Sequence, residues 1–346
     1  MKQMRPLCYL AAALVLATAA CSDGQGAGSD GEYKKILNVS YDVSRDFYKE
    51  YNELFIKEYQ KSHPKTDLYV QQSHGGSSKQ AMSVINGLPA DVVTMNQVSD
   101  IDNLAQRGLV KTDWAERFPN RAVPFTSVTV MLVRKGNPKR IKDWNDLVRP
   151  DTKAVFANPK TSGNGRYALL SIYGYGLKAS GGDKAAAEKF TGGVLKNVPM
   201  FENGSRAAST SFTRRNIGDV LVAPENEASV ISKKLEPGKF EIVYPSYTAA
   251  LDSPVAVVET VAEKKDSAQI AQDYLTYLWS KPAQELAAKL YFRPSDKDVL
   301  TKHRAAFPET ETFRPDETLG TWPEIMKTFF ADGALFDRLT AGKQPQ

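Results

Sequence analysis

Residues 158–167 have the sequence Asn158-Pro159-Lys160-Thr161-Ser162-Gly163-Asn164-Gly165-Arg166-Tyr167 and separate two apolar runs. The run before them, Ala154–Ala157, is typical of a buried strand, and the run after them, Ala168–Tyr173, is typical of a helix. The first backbone N–H groups of a helix have no partner within it and carry a partial positive charge. Because small residues let an anion approach these groups closely, the stretch predicts either an anion-binding turn or an ordinary capped turn.

The N-terminus has the features of a secretory signal. Met1–Arg5 is a short basic segment, and residues 6–20 are apolar but too short to span a bilayer comfortably, so we predict a signal peptide over residues 1–20. The small residues before Cys21 resemble a bacterial lipoprotein cleavage site, which predicts that Cys21 carries a lipid. Ordinary cleavage after an alanine is the alternative. Residues 21–35 are expected to form a flexible tether.

Charge and residue counts exclude several classes of protein. The net charge is +5, and loss of residues 1–20 removes Lys2 and Arg5 but no acid, which leaves +3. The remaining chain has no basic run typical of nucleic-acid binding. None of its three histidines lies near cysteines or carboxylates at ligand spacing, so we predict no metal and no cofactor. Cys21 would be the one cysteine of the mature chain, so stability must come from a hydrophobic core.

Strand-like and helix-like segments alternate along the rest of the chain. The strand-like segments are 36–41, 68–70, 91–95, 128–133, 154–157, 220–223, 240–244 and 255–258. Apolar residues recur at helical spacing over 47–59, 81–85, 101–106, 268–279 and 283–290. This alternation predicts an α/β fold in two domains, with mainly parallel sheets flanked by helices.

Three other turns have the same pattern of small polar residues between a strand and a helix. They are Ser40–Ser44, Ser73–Ser78 and Asn203–Arg206. In open α/β sheets, ligands bind beyond the carboxyl ends of the strands. Because the turns come from separate parts of the chain, they predict an anion site between two domains. His74-Gly75-Gly76 also fits an oxyanion-hole loop, but no G-x-S-x-G motif is present and no base is indicated for Ser162, which disfavours a hydrolase.

Several longer motifs resemble those of the periplasmic sulfate- and thiosulfate-binding proteins of ABC importers. These motifs lie at residues 38–42, 72–81, 133–139, 143–147 and 158–166, with 217–221 and 320–324 extending the match over nearly all of the mature chain. The resemblance implies a two-lobed periplasmic-binding-protein fold of type II, with the anion in the cleft between the lobes. It implies lobe 1 at 36–125 and 250–346, including the C-terminal helices, and lobe 2 at 126–249. The chain would cross between them near 125–127 and 246–253.

The family holds its anion with backbone N–H groups and neutral side-chain donors. Matched by motif, the anion-binding positions implied here are Asp42, Ser77, Ser162, Gly163, Asn164, Ser205 and Pro224. Ser162 would donate its hydroxyl, Pro224 would form part of the wall, and the others would donate backbone N–H groups. We expect the Asp42 side chain to point away from the anion, and Arg166 and Arg206 to brace the loops or pair with acids.

Three of these positions depart from the sulfate-binding pattern. Asn164 stands where many sulfate binders have glycine, and Ser205 stands where they have alanine. Pro224 stands where they have a tryptophan that donates its indole N–H, and proline has no such donor. The sequence around Asp42 and Ser162 is more similar to the thiosulfate-binding type, so the preference between the two anions stays open.

The resemblance therefore implies an extracytoplasmic solute-binding protein that captures sulfate or thiosulfate in the periplasm. It would deliver the anion to the inner-membrane permease of an ABC transporter and carry out no chemistry. We expect a monomer that contacts the membrane through a lipid on Cys21 and binds no nucleic acid. The alternatives are an enzyme acting on phosphate or sulfate esters, and a binder of another oxyanion such as molybdate or phosphate.

Overall fold

The computed structural model describes residues 32–341, and the predicted signal peptide, Cys21 and the tether up to residue 31 lie outside this range. The strands are β1 (Glu32–Tyr41), β2 (Thr66–Gly75), β3 (Val92–Thr94), β4 (Phe125–Arg134), β5 (Ala154–Ala157), β6 (Phe201–Glu202), β7 (Val220–Pro224), β8 (Phe240–Val243), β9 (Tyr247–Asp252), β10 (Val255–Val257), β11 (Arg293–Pro294) and β12 (Glu311–Phe313).

The helices are α1 (Arg45–Ser62), α2 (Ser77–Ile85), α3 (Val98–Gln106), α4 (Pro119–Ala122), α5 (Gly163–Ala179), α6 (Lys184–Lys196), α7 (Ser205–Thr213), α8 (Glu225–Val230), α9 (Glu259–Ala262), α10 (Ala268–Thr276), α11 (Lys281–Lys289), α12 (Lys297–Lys302), α13 (Pro315–Thr318), α14 (Trp322–Ile325) and α15 (Leu335–Thr340). Shorter helical turns lie at Asp42–Ser44, Trp114–Glu116, Trp144–Val148, Ile231–Leu235, Tyr277–Trp279, Arg304–Ala306 and Met326–Phe330. Within residues 32–341, none of these helices combines the length and apolar character needed to cross a bilayer.

The first sheet has the strand order β10-β3-β1-β2, and β1 runs parallel to both of its neighbours. Helix α1 covers it with Phe47, Tyr51 and Phe55, which recur at helical spacing and are buried. This part of the fold matches the sequence-based expectation. Strand β1 begins at Glu32, which pairs with Thr66, so residues 32–35 lie in a strand and not in the tether to which we assign them from sequence.

The second sheet has the order β12-β9-β4-β7-β5-β6 and is mixed. Strand β5 runs parallel to β6 and β7, as expected, but β4 runs antiparallel to β7, β8, β9 and β11. The expectation of a mainly parallel sheet is therefore wrong around β4. A continuous apolar run indicates burial on both faces of a strand and does not give the strand's direction.

The segment after residue 310 packs mainly on the second core, whereas the family pattern implies that it belongs to lobe 1. Tyr167 and Tyr173 of α5 make edge contacts with Trp322 and Phe329, at centroid distances of 5.8 and 4.8 Å. Phe313 of β12 also belongs to this core. The aromatic residues after residue 310 therefore cover α5. The predicted crossings at 125–127 and 246–253 fall on β4 and β9, which are adjacent antiparallel strands.

Candidate functional site

Each loop selected from sequence joins the end of a strand to the start of a helical segment. Asp42 opens the turn after β1, Ser77 opens α2 after β2, and Gly163 opens α5 after β5 and a short loop. Ser205 opens α7 after β6, and Pro224 ends β7 immediately before α8. The predicted strand–turn–helix pattern is thus confirmed at the four turns identified from sequence, and Pro224 lies at a further strand-to-helix junction. Their first-turn N–H groups are the unpaired donors of the helix starts.

The structure brings these loops together from both sheets. The Asn164 side-chain Nδ2 donates to Ser205 Oγ at 2.7 Å, which joins the starts of α5 and α7. The Arg206 backbone N–H lies 3.4 Å from Asp42 Oδ2, which joins α7 to the end of β1. We call the first-turn backbone groups of the loops at Asp42, Ser77, Gly163, Asn164 and Ser205 the donor cluster.

The end of β7, which precedes Pro224, adjoins the donor cluster. Ala223, Asn164 and Ser205 line the same small recess, so the end of β7 lies beside the starts of α5 and α7. Pro224 is buried and occupies the N-cap position of α8. It therefore offers a compact apolar surface and no N–H group at this corner.

Ser162 is placed for the role implied by the resemblance and also caps a helix. Its side-chain oxygen accepts from the Gly165 backbone N–H at 3.4 Å at the N-cap of α5. A hydroxyl can accept in this way and still donate its own proton. The capping hydrogen bond is long and uses only the oxygen, so the hydroxyl proton of Ser162 remains available to a ligand.

The hydroxyl of Ser77 already has partners beside the first sheet. It donates to Asp100 Oδ2 at 2.5 Å, while Ser78 donates to Asp100 Oδ1 at 2.8 Å. It also accepts from the Asn96 backbone N–H at 3.1 Å. These bonds fix the start of α2, and the role of the Ser77 backbone N–H as an anion donor stays a prediction.

The two arginines beside the donor loops pair with partners from the other sheet. Arg166 is 5% exposed, donates to Gln97 Oε1 at 2.5 Å and lies 3.7 Å from Asp100 Oδ1. Arg206 donates to Asp46 Oδ2 at 3.1 Å. Burial lowers the pKa of Arg166, and the negative charge of Asp100 opposes that effect. The expectation that both arginines brace loops or pair with acids is confirmed.

Two acidic side chains lie close to the site. The Asp42 carboxylate faces the Arg206 backbone N–H and, at 3.8 Å, the Arg45 guanidinium. Glu227 is buried and accepts from Ser209 Oγ at 2.6 Å. Burial raises the pKa of Glu227 to about 7, which keeps a large fraction of its carboxyl groups uncharged at neutral pH.

His74 hydrogen-bonds two neutral side chains. Its Nδ1 lies 2.7 Å from Ser40 Oγ and its Nε2 lies 2.7 Å from Gln72 Oε1. Burial, and then the positive charge of Arg45, lower its pKa to about 4, so the ring is neutral. The loop around it therefore serves to fix the end of β2. Within residues 32–341, no group of histidine, cysteine and carboxylate side chains is arranged to hold a metal ion.

Two residues near the donor cluster were not selected from sequence. Asn96 lies between β3 and α3, and its Nδ2 donates to Asn164 Oδ1 at 2.7 Å. Thr129 of β4 is the cross-strand partner of Pro224, and its buried hydroxyl has no hydrogen-bond partner. Asn96 resembles an ordinary residue before a helix, and Thr129 is a common strand former. Neither carries a local signal of binding.

Comparisons with known proteins agree with this architecture. The family model of bacterial extracellular solute-binding proteins matches residues 42–293. A thiosulfate-binding protein of Pseudomonas aeruginosa is 51% identical over 340 residues, which are 98% of this chain and 99% of that one. A sulfate-binding protein of Escherichia coli is 44% identical over 88% of this chain and 93% of its own. The structure of the sulfate-binding protein SubI of Mycobacterium tuberculosis superposes with a TM-score of 0.77 and 28% identity, covering 86% of this chain and 99% of that one.

Proposed function

The chain belongs to the bacterial extracellular solute-binding proteins, and we propose that it captures thiosulfate or sulfate outside the cytoplasm for an ABC importer. The observation that carries the proposal is the meeting of helix starts from both sheets in the donor cluster. Backbone N–H groups at helix starts stabilise an anion without a positively charged side chain. The relatives named for thiosulfate and sulfate binding support the class of ligand.

The proposed ligand contacts are those implied from sequence. Backbone N–H groups of the donor cluster and the Ser162 hydroxyl donate to the anion, and Pro224 forms part of the wall. The neighbouring arginines support this choice, because Arg166 and Arg206 are already paired with Gln97 and Asp46. Several neutral dipoles together offset the charge of the anion, and each contributes a small part. Such a ligand can be released when the lobes open.

Binding is proposed to proceed by lobe closure. We infer that lobe 1 contains the first sheet and lobe 2 the second, with β4 and β9 as the connecting strands and the C-terminal segment on lobe 2. Contacts between Asn96 and Asn164 and between Arg166 and Gln97 then join the two lobes. A ligand that binds both lobes shifts the equilibrium towards this closed arrangement. The transporter permease would act on the closed, loaded protein.

Calorimetry with thiosulfate, sulfate, phosphate and molybdate tests the proposal. We expect one sulfur oxyanion per chain, recovered unmodified from the complex. Absence of binding for both sulfur oxyanions would contradict it, and tight binding of molybdate or phosphate alone would favour a different oxyanion importer. Turnover of a phosphate or sulfate ester would favour the enzyme alternative. That alternative lacks support at Ser162, because the hydrogen bond of its side chain is to the Gly165 backbone N–H and not to a base.

Membrane attachment through Cys21 is part of the same proposal. Cys21 lies outside the described residues, so its support is the sequence of the cleavage site alone. Fractionation of cells that produce the wild type and Cys21→Ala is the test. The wild type should remain with the membrane and Cys21→Ala should not. Equal release of both proteins would show that ordinary signal cleavage takes place.

A further inference from the structure

Asn96, Asn164 and Ser205 form a buried chain of side-chain hydrogen bonds, which we call the amide relay. Asn96 Nδ2 donates to Asn164 Oδ1 at 2.7 Å, and Asn164 Nδ2 donates to Ser205 Oγ at 2.7 Å. All three side chains are more than nine-tenths buried. Asn164 and Ser205 are two of the positions at which the chain departs from the sulfate-binding pattern. The relay therefore joins both departures to a residue from the other sheet.

One end of the amide relay is open. Asn96 Oδ1 is buried and has no hydrogen-bond partner. It lies against the first residue of α5, because a β-carbon added to Gly163 would be 1.9 Å from it. The Asn96 backbone N–H is bonded to Ser77 Oγ, so the residue also adjoins the start of α2. The unpaired end thus lies between two loops of the donor cluster.

The relay can run in either direction. The oxygen and nitrogen of a carboxamide have nearly the same shape, and a hydroxyl both donates and accepts. In the reverse direction Ser205 donates to Asn164 Oδ1, Asn164 Nδ2 donates to Asn96 Oδ1, and Asn96 Nδ2 becomes the open end. Every member then keeps its partner. The open end changes from an acceptor to a donor with hydrogens available.

A bound anion would select the reverse direction. A carbonyl oxygen directed at a dianion is repelled by it, whereas an N–H group directed at it forms a charge-assisted hydrogen bond. The unpaired polar atom would then have a partner, which removes the cost of burying it alone. The backbone donors of the cluster cannot reverse in this way. Asn96 is therefore the adjustable group at the site.

We propose that Asn96 is a specificity-determining anion ligand, which donates from Nδ2 to a sulfur oxyanion through the reversed amide relay. The inference rests on the proposed function and adds a side-chain ligand from lobe 1 to the backbone donors. Because Asn164 and Ser205 belong to lobe 2, the relay is complete only when the lobes are closed. Asn96 thus links recognition of an unprotonated anion to closure.

Two substitutions separate this role from a merely structural one. Asn96→Ala removes the donor and should weaken thiosulfate or sulfate binding about ten- to a hundredfold, as for a lost charge-assisted bond. Asn96→Asp has nearly the same shape and still accepts from Asn164, so it preserves the contact between lobes. It offers an anionic acceptor in place of a donor. It should weaken sulfur oxyanions more than Asn96→Ala does and shift the preference towards protonated phosphate.

The experiment is calorimetry on the wild type, both Asn96 variants and the control Asn103→Ala, with thiosulfate, sulfate and phosphate. Asn103 lies on α3 and is half-buried, so its replacement tests for general effects on that helix. If the wild type binds no sulfur oxyanion, the proposed function fails. If the wild type binds and Asn96→Ala matches Asn103→Ala, the proposed role of Asn96 is overturned.

A purely structural link between lobes makes a different prediction. If Asn96 were only such a link, Asn96→Ala would lower the affinity for all three anions equally. Asn96→Asp, which keeps the contact, would bind them about as tightly as the wild type does. This result would also overturn the inference. If the variants fail to fold, NMR on the wild type decides. The assigned side-chain amide protons of Asn96 should move downfield when thiosulfate is added. Unchanged positions at saturation would count against a hydrogen bond to the ligand.

Discussion

Gly76→Ala should weaken anion binding by obstructing lobe closure while leaving each lobe intact. Gly76 precedes α2 with φ of −57° and ψ of 134°, angles that alanine adopts without strain. A β-carbon there would lie 2.7 Å from the backbone carbonyl oxygen of Thr161, which belongs to the loop between β5 and α5. The substitution therefore adds a clash that exists only when the two loops meet.

The size of the effect follows from that distance. Ordinary contact begins near 3.4 Å, so the two loops must separate by roughly 0.7 Å, and the partner atom is backbone that cannot rotate away. Overpacking of this kind typically costs about 1–3 kcal/mol, which corresponds to a loss of affinity of about 5- to 150-fold. The melting temperature of the unliganded protein should change little, because opening relieves the clash.

Calorimetry with thiosulfate, together with small-angle scattering with and without the anion, measures both parts of this prediction. Gly192→Ala is the matched control, because its added β-carbon on α6 would lie 3.3 Å from the flexible Leu339 side chain of α15 and meet no donor loop. The control should bind and compact as the wild type does. Wild-type affinity in Gly76→Ala would refute the close approach of the loops. A much lower melting temperature without ligand would show that the damage is local.

Four further outcomes are expected. Ser162→Ala should lower anion affinity about ten- to a hundredfold, the loss expected for a charge-assisted donor; an unchanged affinity with a lower melting temperature would show that Ser162 only caps α5. Sulfur oxyanions should bind far more tightly than phosphate near neutral pH, because protonated phosphate needs an acceptor; comparable affinities in competition calorimetry would show that Asn96 Oδ1 or Asp42 supplies one. The wild type should bind thiosulfate at least as well as sulfate, and Pro224→Trp should shift the ratio towards sulfate by about 1–3 kcal/mol, less any strain from the larger ring; a wild type that binds sulfate and ignores thiosulfate would contradict this. Glu227 has a folded-state pKa of about 7 against an ordinary value of 4.5, so the stability linked to its protonated form is fully present below pH 4.5 and is lost as the pH rises towards 7. Glu227→Gln should therefore stabilise the protein at neutral and alkaline pH, on the order of 1–3 kcal/mol, and not below pH 4.5; equal unfolding curves by urea titration at alkaline pH would contradict the buried carboxyl.

The sequence predicted most of the fold because its signals are local. Strand β5 and the start of α5 are specified by an apolar run followed by small polar residues, and both appear where expected. The direction of β4 was not predictable, since burial on both faces gives no direction. The packing of Trp322 on Tyr167 depends on residues more than 150 positions apart, and no local pattern encodes it.

The candidate site was predicted unevenly for the same reason. Helix starts such as Ser77 and Ser205 are visible in the chain as small residues between a strand and a helix. The proposed role of Asn96 and the close approach at Gly76 arise only where loops from the two sheets meet. Asn96 has the same local setting as any polar residue before a helix, and Gly76 adopts angles open to every residue. The reason for each residue lies in a contact with the loop before α5 or with the start of α5, and not in its own part of the chain.

The arrangement of charge around the cleft gives these observations a common explanation. The neutral dipoles of the donor cluster face the proposed ligand, while the pairs of Arg166 with Asp100 and of Arg206 with Asp46 lie between the lobes and beside it. A guanidinium in direct contact would bind any dianion strongly and give little discrimination between anions of equal charge. Dipoles fixed by helix starts discriminate by position and by which ligand atoms accept. The charged pairs join elements of the two sheets, so we expect ion pairs to support the closed state while dipoles select the proposed ligand.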